Sequence, residues 1–450
     1  MFKRWRSAVL LSLILAPLTS ALAWDQGRQI TGERAVLQHR ERAHVENEIV
    51  QDRLKTLLPQ LLDETGIDMW LVINREYAED PVYFTLVPQP AFAARRTTML
   101  VFHRHEDQFE MMTVGRYPLG DPYDSAWEGN DLDEQWIALG ALIAEKNPRA
   151  IGVNVSGDWP IADGLTHALY ERLASVLTPE LQARVTSAEA LAVRWMETRN
   201  AREQEIYAHN VGIARKVIAE GFSSRVITPG VTTTDDVAWY LRERFEELNL
   251  DIWFMPYVNI QRPGFDCEKD QAFCGEEGGV IRHGDVLHTD VGLCYLKLCT
   301  DTQEMGYVVP LGQQGVLQGL KAAMKTGNRW QDQLTSSFET RLTGNEVLAK
   351  TREKCRRSKI DCSVYTHPIG FVGHAPGPTI GMWDNQGETP VQGDWPVYAD
   401  TCYAIEGNVK VPVAEWDDQL VQIKLEQSAC FDGEDVFYLA GRQTRWHLIH

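Results

Sequence analysis

The stretch His288-Thr289-Asp290-Val291-Gly292 runs through Leu293-Cys294-Tyr295-Leu296-Lys297-Leu298-Cys299-Thr300 to Asp301, so the second aspartate follows the first by eleven positions. Apolar residues dominate the stretch, which predicts two strands joined by a turn. Such a hairpin sets Asp290 and Asp301 side by side. Two carboxylates on one buried sheet face repel each other and are poorly hydrated, so they need a cation or a proton. An aspartate that merely sits in a turn needs neither. His288 lies two positions before Asp290, on the same face of the predicted strand and roughly 6.6 Å along it. It is a candidate for contact with the site or with a substrate; a packed histidine is the plain alternative.

Three later segments carry residues of the same kind. In Thr366-His367-Pro368-Ile369-Gly370-Phe371-Val372-Gly373-His374 two histidines stand seven positions apart, with glycines that permit close backbone approach. Tyr403-Ala404-Ile405-Glu406-Gly407 sets a glutamate among apolar neighbours; buried, it needs a partner. Val421-Gln422-Ile423-Lys424-Leu425-Glu426 alternates apolar and polar residues, as a strand does, and ends on a glutamate.

The order is therefore Asp, Asp, His-x-x-Gly-x-x-x-His, Ile-Glu-Gly, and a Glu on a last strand. It resembles the pita-bread metallopeptidases: methionine aminopeptidase, aminopeptidase P (the Xaa-Pro aminopeptidase) and prolidase. The resemblance covers residues 196–450. It implies that Asp290, Asp301, His367, Glu406 and Glu426 hold two divalent metal ions, and that the chain hydrolyses small peptides, with Xaa-Pro bonds as the expected target. It implies further that Glu406 shuttles a proton as general base and then acid, and that His374 hydrogen-bonds the substrate or the tetrahedral intermediate. Charge agrees with this: four carboxylates offset two divalent ions, and a neutral imidazole completes the set. Oxygen-rich ligation with one histidine suits Mn, Zn, Co or Fe without choosing among them. Two such ions about 3.5–4 Å apart share a water and lower its pKa, giving a metal-bridged hydroxide near neutral pH.

The chain departs from the family pattern around the five positions. Glu406-Gly407-Asn408 stands where Glu-Pro-Gly is common. Lys424 stands where aminopeptidase P and prolidase carry an arginine; it keeps the charge and loses the planar fork. Ser363, four positions before His367, replaces a histidine of those enzymes, and residues 257–264 lack a further one. The expected outcome is an intact metal site with an altered substrate-positioning shell, in which His288 and Lys424 are candidates for substrate contact. Two other readings follow: a homologue that binds metal or peptide with weak turnover, and a creatinase-like C–N hydrolase. Creatinase lacks the metal ligands, so the five positions present here weigh against the last.

Residues 24–195 alternate helix signals (45–62, 136–144, 165–176) with strand signals (69–73, 98–102, 109–114, 150–155), the pattern of an α/β layered domain. This half is similar in architecture alone to the N-terminal domain of aminopeptidase P, prolidase and creatinase. His103, His105 and Asp107 fall in a predicted polar turn and read as solvated loop. The polar segment Met196-Glu197-Thr198-Arg199-Asn200 marks the expected boundary. Beyond it, Thr233-Thr234-Asp235-Asp236 matches a helix capping box. The expected architecture is an α/β N-terminal domain, 24–195, followed by an α+β catalytic domain of pita-bread fold, 196–450.

Residues 1–23 read as a signal peptide. Lys3, Arg4 and Arg6 precede an apolar run from Ala8 to Pro17, and Ala21-Leu22-Ala23 matches a cleavage site. The run is too short to span a bilayer, which takes about 20 residues. Removing it takes three basic residues and no acidic one, so the net charge moves from −19 to −22. That balance excludes a nucleic-acid partner, which requires clustered Lys and Arg, and docking on an anionic membrane. A secreted or periplasmic location lets the eight cysteines form disulfides; all lie after residue 266. None has the two-residue spacing of a zinc knuckle. Residues 264–279, with Cys267 and Cys274, read as an insertion before the first ligand strand. A homodimer is expected from the resemblance.

Overall fold

The computed structural model describes residues 36–265 and 279–450. The expected leader lies outside these residues, as do Cys267, Cys274 and nearly all of the expected insertion.

The described chain opens with a helix, His39–Asp52, that passes through one π-helical turn, Arg53–Leu57, into a second helix, Leu58–Thr65. Gly66 ends it at φ +69°, a left-handed conformation glycine adopts without strain. Six strands follow: β1 (Met69–Arg75), β2 (Thr97–His105), β3 (Gln108–Gly115), β4 (Asp124–Ser125), β5 (Ile151–Val153) and β6 (Val185–Ser187). They form one mixed sheet in the order β4-β3-β2-β1-β5-β6. Met69 to Ile73 in β1 are at most 2% exposed, so the strand is apolar on both faces rather than alternating. The helix Leu132–Lys146 is capped by Asp131, whose carboxylate accepts the backbone N–H groups of Asp133 and Glu134. His103 and His105 belong to the end of β2, not to a turn. His103 is buried and its Nδ1 lies 2.9 Å from Glu110 on β3; the charge-rich turn masked a strand that runs three residues past its apolar core.

Between the helices Glu189–Glu197 and Ala201–Gly221 the chain does not pass through a solvated linker. Arg53, Arg199 and Glu203 are at most 1% exposed. The Glu203 carboxylate accepts from Arg53 at 2.7 Å and from Arg199 at 2.9 Å. Both guanidinium groups lie over the Phe371 ring, at 4.9 and 4.2 Å from its centre. The polar letters of this segment thus mark a buried ion cluster.

The second sheet is built from β8 (Tyr257–Gln261), β9 (Val286–Val291), β12 (Thr302–Val308), β13 (Asp361–Val364), β14 (His367–Ile369), β15 (Thr401–Val413), β16 (Gln419–Phe431), β17 (Val436–Tyr438) and β18 (His447–Ile449). Its main order is β13-β15-β16-β12-β9-β8. β15 and β16 have 13 residues each and pair along their whole length. Helix Thr234–Glu247 begins with the expected capping box, Thr233 against Asp236. The helices Gln318–Thr335 and Ala201–Gly221 pack on the sheet through apolar residues that include Trp330, Met324, Val217 and Ile218.

β9 and β12 do pair antiparallel, but the connection is not a simple turn. Residues 293–299 leave the sheet as β10 (Leu293–Tyr295) and β11 (Leu298–Cys299), which pair with each other, and β10 pairs on its other side with β7 (Asp251–Ile252), in a separate small sheet. A Cys294–Cys299 disulfide closes this excursion; Cys355–Cys362 and Cys402–Cys430 are also bonded.

Candidate metal centre

Register decides which side chains meet. Directly opposite residues on neighbouring strands share a face. Asp290 on β9 faces Gln303 on β12, Gln303 faces Glu426 on β16, and Glu426 faces Glu406 on β15. One row across four strands therefore reads Asp290, Gln303, Glu426, Glu406. Asp301, just before β12 and two residues from Gln303, is on the same face as that row. The position opposite Asp290 belongs to Gln303, not to Asp301 as a plain hairpin would have it. Gln303 is the residue the sequence did not single out.

His367 reaches the row from β14, which pairs with β15 through Ala404. Its segment is pinned by Thr366, whose hydroxyl exchanges hydrogen bonds of 3.0 Å with the backbone N–H and carbonyl of Glu406. His367 donates Nδ1–H to the Pro368 carbonyl at 2.9 Å, which leaves the Nε2 lone pair facing the carboxylates. Nε2 lies 3.5 Å from Asp301, 3.8 Å from Glu406 and 3.8 Å from Glu426, and it has no hydrogen-bond partner. Asp290 Oδ1, Asp301 Oδ1 and both oxygens of Glu426 are also buried without a partner. Each such atom costs about 1–3 kcal/mol left unsatisfied. Donor atoms gather within 4.8 Å of one another in three groups: Asp290, Asp301 and Glu426; His367, Glu406 and Glu426; and Asp301, His367 and His374. Orphaned oxygens around an imidazole lone pair fit divalent cations, and five side chains with four carboxylates fit two of them.

The electrostatics agree. Burial and mutual repulsion hold Asp290, Glu406 and Glu426 well above the usual carboxylate range, and burial pushes Asp301 up to about 7. Burial pushes His367 down to about 4. Without a cation the pocket favours neutral forms; a bound cation replaces the protons.

His374 stands at the rim, exposed, with its ring edge-on to His367 at 4.7 Å and to Trp253 at 5.0 Å. Trp253 explains two glycines: a Cβ on Gly292 or on Gly373 would lie 2.1 Å from its ring. Gly407 has a similar reason: a Cβ there would meet the Ser363 carbonyl at 2.3 Å.

Beside the row lies a cavity of about 420 Å³. Lys424, Asn408, His288, Tyr365 and Trp383 line it, as do Ser363 and Tyr257 from the two places where the sequence lacks the expected histidines. Asn408 faces Lys424 one step along the strands from Glu406 and Glu426. Burial lowers the Lys424 pKa, against the opposing pull of Asp290 and Glu406. His288 is buried, and its Nε2 lies 2.7 Å from Gln303 Oε1. A larger depression, about 590 Å³, borders the Cys355–Cys362 disulfide and shares none of these residues.

No family model and no curated protein matches the chain by sequence. Solved structures do match it in fold. An X-Pro aminopeptidase from Thermotoga maritima aligns over 86% of this chain and 99% of its own, with a TM-score of 0.59 and 16% identity. An Xaa-Pro dipeptidase from Bacillus anthracis aligns over 91% and 100%, with a TM-score of 0.56 and 16% identity. A prolidase from Pyrococcus horikoshii aligns over 88% and 99%, with a TM-score of 0.54 and 13% identity. The chain has the pita-bread peptidase fold with its preceding α/β half, as the ligand order implied.

Proposed function

We propose that this chain is an exported hydrolase of small peptides that works with two divalent metal ions and cleaves Xaa-Pro bonds. The observation that carries the reading is the cluster of unpartnered carboxylate oxygens around the His367 lone pair. Asp290, Asp301, His367, Glu406 and Glu426 would hold the ions, whose chemistry there is to polarise the peptide carbonyl and activate water. Glu406 would take the proton of the attacking water and return it to the leaving nitrogen. His374, at the rim beside His367, would hydrogen-bond the oxygen that gains charge. Lys424 and Asn408 suit the free carboxylate of a short peptide, and the faces of Trp383 and Tyr365 suit its ring or side chain. The three disulfides among the described residues support an oxidising compartment, and no described helix is long and apolar enough to cross a membrane.

The test is metal content together with turnover of a peptide panel. Two ions per chain with cleavage confined to Xaa-Pro dipeptides and tripeptides supports the proposal; hydrolysis without metal, or of no peptide at all, rejects it. The second reading, a metal-loaded binder with weak turnover, is favoured by one feature: serine, tyrosine and lysine line the cavity where the similar enzymes carry histidines and arginine. Two ions, peptide binding and no cleavage would select it.

A further inference from the structure

We infer that Gln303 is the positioning residue of this centre, and that His288 acts through it rather than on the substrate. The inference rests on the two-metal reading above. Gln303 is 4% exposed and stands inside the row, between Asp290 and Glu426. Its amide Nε2 lies 3.2 Å from Asp290 Oδ2 and 2.5 Å from Glu406 Oε1. It thus ties ligands from two different strands, β9 and β15.

An amide has one donor end and one acceptor end, and carboxylates that have given up their protons to hold cations only accept. The NH2 group must therefore face Asp290 and Glu406; reversed, it would set its own oxygen against both. That orientation points Oε1 at His288 Nε2, 2.7 Å away, so the imidazole carries its proton on Nε2. His288 in this tautomer fixes which way the amide lies, and the amide fixes two carboxylates. A carboxylate has about four lone-pair sites, so a hydrogen bond from Gln303 and a bond to a cation coexist on it. An apolar residue of equal size would fill the row and orient nothing.

The experiment is a chelator-competition titration of a divalent ion, Mn²⁺ or Zn²⁺, against wild type, Gln303→Met, His288→Phe and the double variant. Circular dichroism of each confirms the fold. Loss of such an outer hydrogen bond weakens metal binding about 10–100-fold, and that is the loss expected for Gln303→Met. His288→Phe leaves the amide in place with its orientation unguided, so a smaller loss of the same sign is expected. The double variant should bind no more weakly than Gln303→Met, because His288 acts through the amide. Wild-type affinity in folded Gln303→Met overturns the inference, as do fully additive losses in the double variant. Should Gln303→Met not fold, His288→Phe decides alone, and unchanged affinity there overturns it. A wild type that takes up no divalent ion overturns the two-metal reading as well. Two ions in wild type with Gln303→Met unchanged overturns this inference only.

Discussion

At the scale of residues, the proposed function gives Glu406 and His374 different jobs, the first as proton carrier and ligand, the second as hydrogen-bond donor. Replacing Glu406 by Gln keeps its shape and removes the proton carrier, so kcat should fall about 10²–10⁴-fold in steady-state assays. His374→Ala should lower kcat about 10²–10³-fold while metal content, read by elemental analysis, stays unchanged. The candidate ligand carboxylates also predict a pH signature for the metal-free protein. Asp301 is raised from an ordinary 3.8 to about 7, so between these values the folded state binds more protons than the unfolded one, and stability falls as pH rises. His367, lowered from 6.5 to about 4, works the other way across its own window. Asp290, Glu406 and Glu426 are raised as well, so carboxylates outnumber the imidazole. Metal addition should therefore raise the melting temperature more at pH 7 than at pH 5; equal gains would contradict this. The five candidate ligands were legible because each is an ionisable group in an apolar or glycine-rich setting. Gln303 was not. A neutral amide beside Glu304 sends no such signal, and only register shows that Gln303 faces the row while Glu304 pairs with Arg215.

Elements were legible as faces and not as neighbours. Alternation along β16 showed which side chains share a side. It did not show that β16 lies between β15 and β12, because that depends on pairing partners far apart in the chain. The stretch from Asp290 to Asp301 is the sharpest case. Its apolar run reads equally as a hairpin arm and as the small outer sheet it forms, beside which Trp253 fills the space above Gly292 and donates its indole N–H to the Thr300 carbonyl at 2.9 Å. On β15 and β16, Cys402 faces Cys430 four residues from each glutamate. Paired serine substitution there opens a loop with sequence separation 28 and should cost about 3 kcal/mol, measured by denaturant unfolding.

For the whole molecule, the buried cluster of Arg53, Arg199 and Glu203 links the first helices to the loop that carries His374, because both guanidinium groups rest on Phe371. Glu203→Gln strands two buried cations and should cost about 3–5 kcal/mol in thermal or denaturant unfolding; a change near zero would show the cluster to be solvated in solution. The sequence marked this place as polar, and polarity alone does not distinguish an exposed linker from a satisfied ionic core. The long pairing of β15 with β16 carries one more consequence, for anyone preparing the protein. Slipped by two residues, the strands would set Cys402 against Ser428 and Glu406 against Lys424, and neither thiol at 402 or 430 would find its partner. In fully oxidised protein, a thiol at Cys402 that still takes label therefore marks a molecule whose two strands have not reached this register.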